Sequence, residues 1–543
     1  MRHAPPAPFT PLALAAFAAF AALATLPACA GRPSVWDTPP PSTLSAYGLT
    51  STTVVLDDPT HRAMALLAHA DQTLTTTTLP IGHGLLQAAT SPDVTHLFVL
   101  SAGDQPRQTD QDEYPSLTVI DGATPAVQST RYEMTDPLSN LAIDPLGHWA
   151  VAFAGSNGPA SFVENPNEIV IFDLTQPPSN TNPIARTIRS FGGSPTSLTF
   201  TPEINLPAGQ RRLLVIETDQ DVTLLDMDHA FDQPPRPEIT VQLTDGTTTQ
   251  VLRPAGVVVD PGDPSSNTLA DVAVRTSNDT NVITLQLGPS AAGAPNDFAP
   301  VINLTDVGGI PSDFAFVQTD AGLRVAALVP SATGAVLVDP DTSITETVTF
   351  PAPYSHLSIV TDVTGGANGT DVALLWAGSS PSAGVAFWTL GIASAQPYRS
   401  VEVVSIGDDI ESVTDVPTPN TALEVLETAS SSAFYVLDLT TRTAAPLVTS
   451  ATPSIVVSPD GERIWAFGPE TSNLAELDLG TLDPVPLYVA RPIDAVFDFA
   501  RDDGGRALVT LHATGNVGAT VFDALAPDTA TARSYSGLLL EGL

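Results

Sequence analysis

Two histidines, two arginines and four carboxylates carry the chemistry that this sequence could perform: His83, His356, Arg253, Arg491, Asp136, Asp313, Glu411 and Asp494. Each stands in or beside a short segment leading into an apolar run, as in Gly82-His83-Gly84, Thr135-Asp136-Pro137 and Asp408-Asp409-Ile410-Glu411. Imidazoles grouped with carboxylates can hold a divalent metal or pass protons. Two guanidinium groups can grip an anion within an otherwise acidic chain. No two of the eight have a diagnostic spacing, so joint chemistry depends on a fold that gathers them. The other histidines, His61, His69, His96, His148, His229 and His512, are scattered singly and read as surface or turn residues.

Two acidic loops are weaker candidates for calcium. One contains Asp260, Asp263, Asn267 and Asp271; the other contains Asp362, Asn368 and Asp371. Each leads into an Asp-Val-Ala strand start and resembles a degenerate integrin-type propeller repeat. Neither has the dense Asp-x-Asp-x-Asp-Gly spacing that supplies six to eight oxygens to the ion, and Asx-capped turns are the alternative. Ca²⁺ is therefore the one cofactor kept in view. Several enzyme classes are excluded by missing motifs: there is no Cys-x-x-Cys-His, no His-Glu-x-x-His and no Gly-x-Ser-x-Gly. With no lysine anywhere, Schiff-base catalysis and a lysine-containing phosphate loop are impossible.

The elements that must position these residues repeat along the chain. A short apolar strand meets a turn rich in Pro, Asp or Gly, and a second apolar strand follows at once. The clearest copy is Ile455-Val456-Val457-Ser458-Pro459-Asp460-Gly461, leading to Ile464-Trp465-Ala466-Phe467. Others turn at Pro92 and Pro145, with weaker copies at Pro59, Pro202, Pro261, Asp320, Gly366, Pro419 and Asp502. Such a pattern is a β-hairpin. After a polar gap comes an apolar run ending in Asp: Ile120-Asp121, Phe172-Asp173, Leu225-Asp226, Leu437-Asp438 and Leu477-Asp478. The interval is 52 residues from Asp121 to Asp173, 53 to Asp226, and 40 from Asp438 to Asp478. Four short strands per such period describe a propeller blade.

These copies resemble the YVTN-type β-propeller repeat, most closely over 454–480. An all-β propeller of about eight to ten four-stranded units over 49–543 is expected, with two smaller propellers as the alternative. Ten turns are counted, the first unit (52–82) is short, and a strand shared between the chain ends would lower the blade count. In a propeller the segments before the innermost strands gather at one mouth of the central channel. The eight candidate residues would then line that mouth. No segment after residue 30 sustains a helical apolar period.

Cys29 is the only cysteine, and it follows an uncharged apolar run of 15 residues from Leu12 to Leu26. That run is short for a membrane span and suits an export signal. Leu26-Pro27-Ala28-Cys29 resembles a bacterial lipoprotein signal, with Pro27 departing from its usual small residue. The resemblance implies a signal peptide over 1–28, lipid on Cys29, and a Pro/Ser/Thr tether over 29–48. Ala30, where inner-membrane lipoproteins tend to carry Asp, favours the outer membrane by the same resemblance. A secretory signal cut near Ala28 or Ala30 is the plainer alternative.

The chain has 59 acidic and 20 basic residues, for a charge of −39. Loss of Arg2 with the signal leaves 19 basic residues against 59 acidic, a charge of −40. Such a field repels phosphate backbones and anionic membrane surfaces, which argues against nucleic acid and makes a covalent anchor useful. The expected role is a lipid-anchored, cell-envelope binding or scaffold module for a protein or glycan, more a binder than an enzyme. The alternative, implied by resemblance to other propellers, is a lactonase-like hydrolase or dehydrogenase subunit acting at the channel mouth.

Overall fold

The structure, a computed structural model, describes residues 45–538 except for 58–61, 123–126, 156–161, 245–250, 361–369, 379–383, 393–397, 429–433, 448–453, 469, 502 and 513–517. Cys29, the signal, the tether up to residue 44, Asp362 and Asn368 lie outside the described residues.

Why the chain forms blades is visible in the burial of successive strands. The second and third strands of a unit, such as Trp149–Phe153 or Gly334–Val338, are buried throughout. Both faces of such a strand meet protein, so its sequence is a continuous apolar run rather than an alternating one. Fourth strands such as Gln128–Glu133 and Thr345–Thr349 are polar and largely exposed at the rim. Among the described residues this pattern yields ten antiparallel four-stranded sheets, over 45–80, 85–133, 140–187, 195–242, 254–306, 313–349, 356–404, 410–447, 454–488 and 493–535.

Each pair of successive sheets shares a hydrophobic cluster, and the last pair closes the ring. Leu49 and Val54 of blade one pack with Leu97 and Val99 of blade two. Val55 and Leu66 of blade one pack with Val509 and Val521 of blade ten. Burial of each such side chain contributes about 1.5–3 kcal/mol. At the closure Ala500 N–H donates to Thr50 O at 2.8 Å, and the Tyr535 hydroxyl donates to Gln72 O at 3.1 Å. The fold is thus one ten-bladed propeller, and the two-propeller alternative falls away. Blades one and ten each own four strands, so no strand is shared.

The first unit looked short for a physical reason. Its opening strand is Ser45–Leu49, which begins before the expected domain start at 49, and the Thr50-Ser51 turn that follows contains no Pro, Asp or Gly. Pro59, itself outside the described residues, falls in sequence between the second strand, Thr52–Asp57, and the third, Arg62–Ala68. Third-strand aspartates behave as expected of turn caps: Asp438 Oδ1 accepts the N–H groups of Thr440 and Thr441, and Asp478 Oδ1 those of Gly480 and Thr481.

An innermost strand presents an unpaired edge to the channel. Some of its N–H groups are met by a neighbouring blade's side chains. Leu141 N–H donates to Gln87 Oε1 at 2.8 Å, and Leu357 N–H donates to Asp313 Oδ2 at 2.9 Å. Among the described residues no helix is long and apolar enough to cross a membrane.

Candidate functional site

All eight sequence-predicted residues stand at the start of an innermost strand or in the segment before it, hence at one end of the ring. They are dealt out by blade: His83 to blade two, Asp136 to three, Arg253 to five, Asp313 to six, His356 to seven, Glu411 to eight, and Arg491 with Asp494 to ten.

Apart from His83, their side chains fall into two groups. Asp136 and Asp313 are engaged by backbone. Asp136 is buried, and its Oδ2 accepts Glu164 N–H at 3.0 Å and Asn165 N–H at 3.3 Å. Asp313 joins the inner strands of blades six and seven through Leu357, beside His356. Arg253, His356, Glu411, Arg491 and Asp494 are exposed. Glu411 and Asp494 each occupy the extra residue of a bulge at the first turn of an inner strand, which re-aims the side chain out of the ladder. His356 stacks on Trp376, its cross-strand partner, with ring centroids 5.4 Å apart and planes at 21°.

His83 has the richest surroundings. Its Nδ1 lies 2.9 Å from Asp104 Oδ1, and its Nε2 lies 3.4 Å from Glu113 Oε2. Arg131, on the outer strand of the same blade, reaches Glu113 Oε1 at 2.5 Å. Glu113 N–H donates to Asp104 Oδ2; that bond and then His83 hold the Asp104 carboxyl below the usual carboxylate range. The loop folds back tightly at Gly103, where φ is +68° and a Cβ would lie 2.4 Å from Glu113 O, so only glycine fits. An imidazole between two carboxylates can donate hydrogen bonds from both nitrogens or shuttle a proton. Asp104, Glu113 and Arg131 were missed from sequence, although the run of acids from Asp104 to Glu113 signals a partner for a cation.

His512 departs from the sequence expectation. It is buried at the end of blade ten's second strand, with Nε2 2.9 Å from Thr520 Oγ1. Burial lowers its pKa.

The opposite end of the ring holds the acidic loop of blade five. Asp260 and Asp271 are directly opposed, at the end of the inner strand and the start of the second. The four loop residues do not turn toward one point. Asp263 Oδ1 accepts from Ser265 N–H and Oγ–H, Asp260 Oδ2 accepts from Gly262 N–H, and Asn267 sits at φ 59° in the turn. Asp271 instead lines a cavity of about 570 Å³, with Gln286 of its own blade and Arg324, Asp339 and Asp341 of blade six. Among the described residues no three His, Cys, Asp or Glu side chains form a metal-holding group. Asp371 of the second loop is held between blades, its Oδ2 accepting Gln318 N–H at 2.6 Å.

Blade five is propped by an inserted hairpin, Ile204–Leu206 and Gly209–Arg211, which blade four carries between its first two strands. Asn205 Nδ2 donates to Thr268 O at 2.7 Å, and Arg211 Nη1 reaches Asp297 Oδ1 at 2.9 Å.

No family model and no curated protein matches the sequence. Among solved structures, the chain is similar to dihydro-heme d1 dehydrogenase NirN in complex with DHE, at 12% identity and a TM-score of 0.40, covering 84% of this chain and 77% of that one. It is also similar to apo AztD from Citrobacter koseri, at 11% identity and a TM-score of 0.33, covering 83% and 95%. A third is the WD40 domain of SCAP from fission yeast, at 12% identity and a TM-score of 0.36, covering 91% and 98%. The likeness is one of fold.

Proposed function

We propose that the chain is a lipid-anchored, cell-envelope β-propeller that serves as a binding or scaffold module for a protein or glycan. The observation supporting a binding role is the set of exposed polar side chains Arg253, His356, Glu411, Arg491 and Asp494 at inner-strand entrances on four blades. Spread around one end of the ring, they suit a broad recognition face better than one enclosed reaction centre. The His356–Trp376 stack adds an aromatic surface of the kind that packs on sugar rings or apolar side chains. The lipid anchor rests on Leu26-Pro27-Ala28-Cys29 following the apolar run.

A glycan and peptide binding screen on the full-length protein tests the module. Any ligand found is expected to be lost with His356→Ala or Arg491→Ala while the melting temperature holds. Turnover of a lactone or sugar substrate that disappears with His83→Ala or Glu411→Gln would replace the binding role with an enzymatic one. Cys29→Ser is expected to release the protein from membranes and abolish fatty-acid labelling. Membrane association that persists in that variant would remove the anchor.

A further inference from the structure

We infer that the cleft between blades five and six, at the end of the ring opposite the predicted mouth, binds a small organic molecule through a primary ammonium group, with Asp271 as the buried counter-ion and Asp341 beside it. This rests neither on the anchor nor on the recognition face.

Three observations carry it. The first is space: the cavity of about 570 Å³ lies within the range of small-molecule sites. Gly288 lines it, and a Cβ there would meet nothing within 4 Å. The second is an unmet carboxyl. Asp271 is only 9% exposed, yet its side chain receives no hydrogen bond from the protein. Buried carboxyls are ordinarily hydrogen-bonded or paired. The third is that the neighbouring donors are already engaged. Gln286, cross-strand from Asp271, gives its amide N–H to Asp341. Arg324 pairs with Asp339 at 3.2 Å and donates to Leu323 O at 2.6 Å.

The charged and titratable groups facing Asp271 are Asp260 from its own blade and Asp341 from blade six, with the Arg324–Asp339 pair further along the wall. Burial, then Asp341, then Asp260 raise the Asp271 carboxyl to about 7. Near neutral pH an arriving cation therefore displaces a proton from Asp271. An anion is disfavoured by the acidic wall and the engaged Arg324. A neutral ligand gains nothing from the acidic neighbours Asp341 and Asp260 beside Asp271. Calcium requires six to eight oxygens at about 2.3–2.6 Å, whereas Asp260 and Asp263 accept hydrogen bonds within their own turn. An ammonium group needs only two or three acceptors.

The test is calorimetric titration of the full-length protein with putrescine in 0.15 M salt, where non-specific attraction to a −39 chain is screened. One saturable site is expected, and heats measured in buffers of different ionisation enthalpy should show proton release at pH 6.5. Asp271→Asn should weaken binding by about ten- to hundred-fold. Asp341→Asn should weaken it less, and the exposed control Asp110→Asn should leave it unchanged. Gly288→Leu, which fills the cleft and keeps Asp271, should also abolish binding, so loss does not depend on one variant's folding. N,N′-Diacetylputrescine, with the same skeleton and no charge, should not bind. Absence of a saturable site, equal binding by Asp271→Asn, or displacement of putrescine by stoichiometric Ca²⁺ each overturns the inference.

Discussion

Asp498 of blade ten and Asp271 of blade five are both buried carboxyls on the two strands nearest the channel, yet their surroundings differ. Asp498 accepts Trp465 Nε1–H from blade nine at 2.8 Å and Arg506 Nε–H from its own blade at 2.8 Å. Burial still raises its pKa, against the opposing pull of Arg506 and Trp465. Asp271 has the burial without the partners, and two further carboxylates raise it to about 7. At the first site the acid holds two blades together. At the second, the blade that would supply the partner leaves a cavity instead. A propeller repeats its scaffold and varies what stands between neighbouring sheets, so unmatched junctions are where binding is to be sought.

Removing the cation from the matched junction should have the largest effect. Arg506→Met leaves Asp498 buried without its charge partner, which should cost about 3–5 kcal/mol in denaturant unfolding near pH 7. Asp498→Asn/Arg506→Met should recover part of that loss, because neither charge is then stranded. A double variant as unstable as the single one would mean that lost packing of the Arg506 side chain, not a stranded Asp498 charge, causes the loss.

At the unmatched junction the sign reverses. A carboxyl whose folded pKa is about 7 keeps its proton while the unfolded chain loses one near 3.8. Its contribution to stability is therefore fully present below about 4, falls as pH rises, and is gone above about 7. Asp271→Asn should accordingly stabilise the protein above pH 7, by about 1–3 kcal/mol, and change little at pH 4. Thermal melts across that range check it, and an Asn variant less stable at pH 8 would show that Asp271 has a partner in solution. Glu424 provides a companion. Burial and then Asp415, its cross-strand neighbour, raise it to about 7, and its Oε2 has no hydrogen bond. Glu424→Gln should flatten the same limb of the pH profile and leave putrescine binding untouched, since it lies three blades away.

The sequence disclosed the scaffold more fully than the site. Hairpin turns such as Ser458-Pro459-Asp460-Gly461 and caps such as Asp438 and Asp478 use local chemistry, so residue type alone locates them. The entrance to each described inner strand from blade two onward was also legible, because polar segments bracket apolar runs there. Thr50-Ser51 carried no turn signal, and the opening strand of blade one went unseen. Pairing between blades was not legible. Asp136 and Asp313 looked available for chemistry, but backbone N–H groups far along the chain claim them. Asp271 stood in a calcium-like loop, whereas its distinctive feature is the cavity shared with Asp341, which only the junction of two sheets creates.

The clamp between blades four and five separates matched from unmatched acids by a third route, with the smallest expected effect. Asp297 takes Arg211 and Arg236, and chiefly Arg211's hydrogen bond holds it down to about 2. A depressed carboxyl contributes stability above its ordinary pKa near 3.8, and that contribution is lost as pH falls through about 2. Asp297→Asn should thus cost about 1 kcal/mol at pH 7, given the partial solvent access of the pair, and nothing near pH 2. Its pH dependence should run opposite to that of Asp271→Asn. If the two variants instead share one pH profile, the contrast would belong to the acidic chain as a whole. If they diverge, the difference lies in the partners: Arg211 of the Ile204–Arg211 hairpin and Arg236 reach Asp297, whereas among the described residues no side chain donates to Asp271.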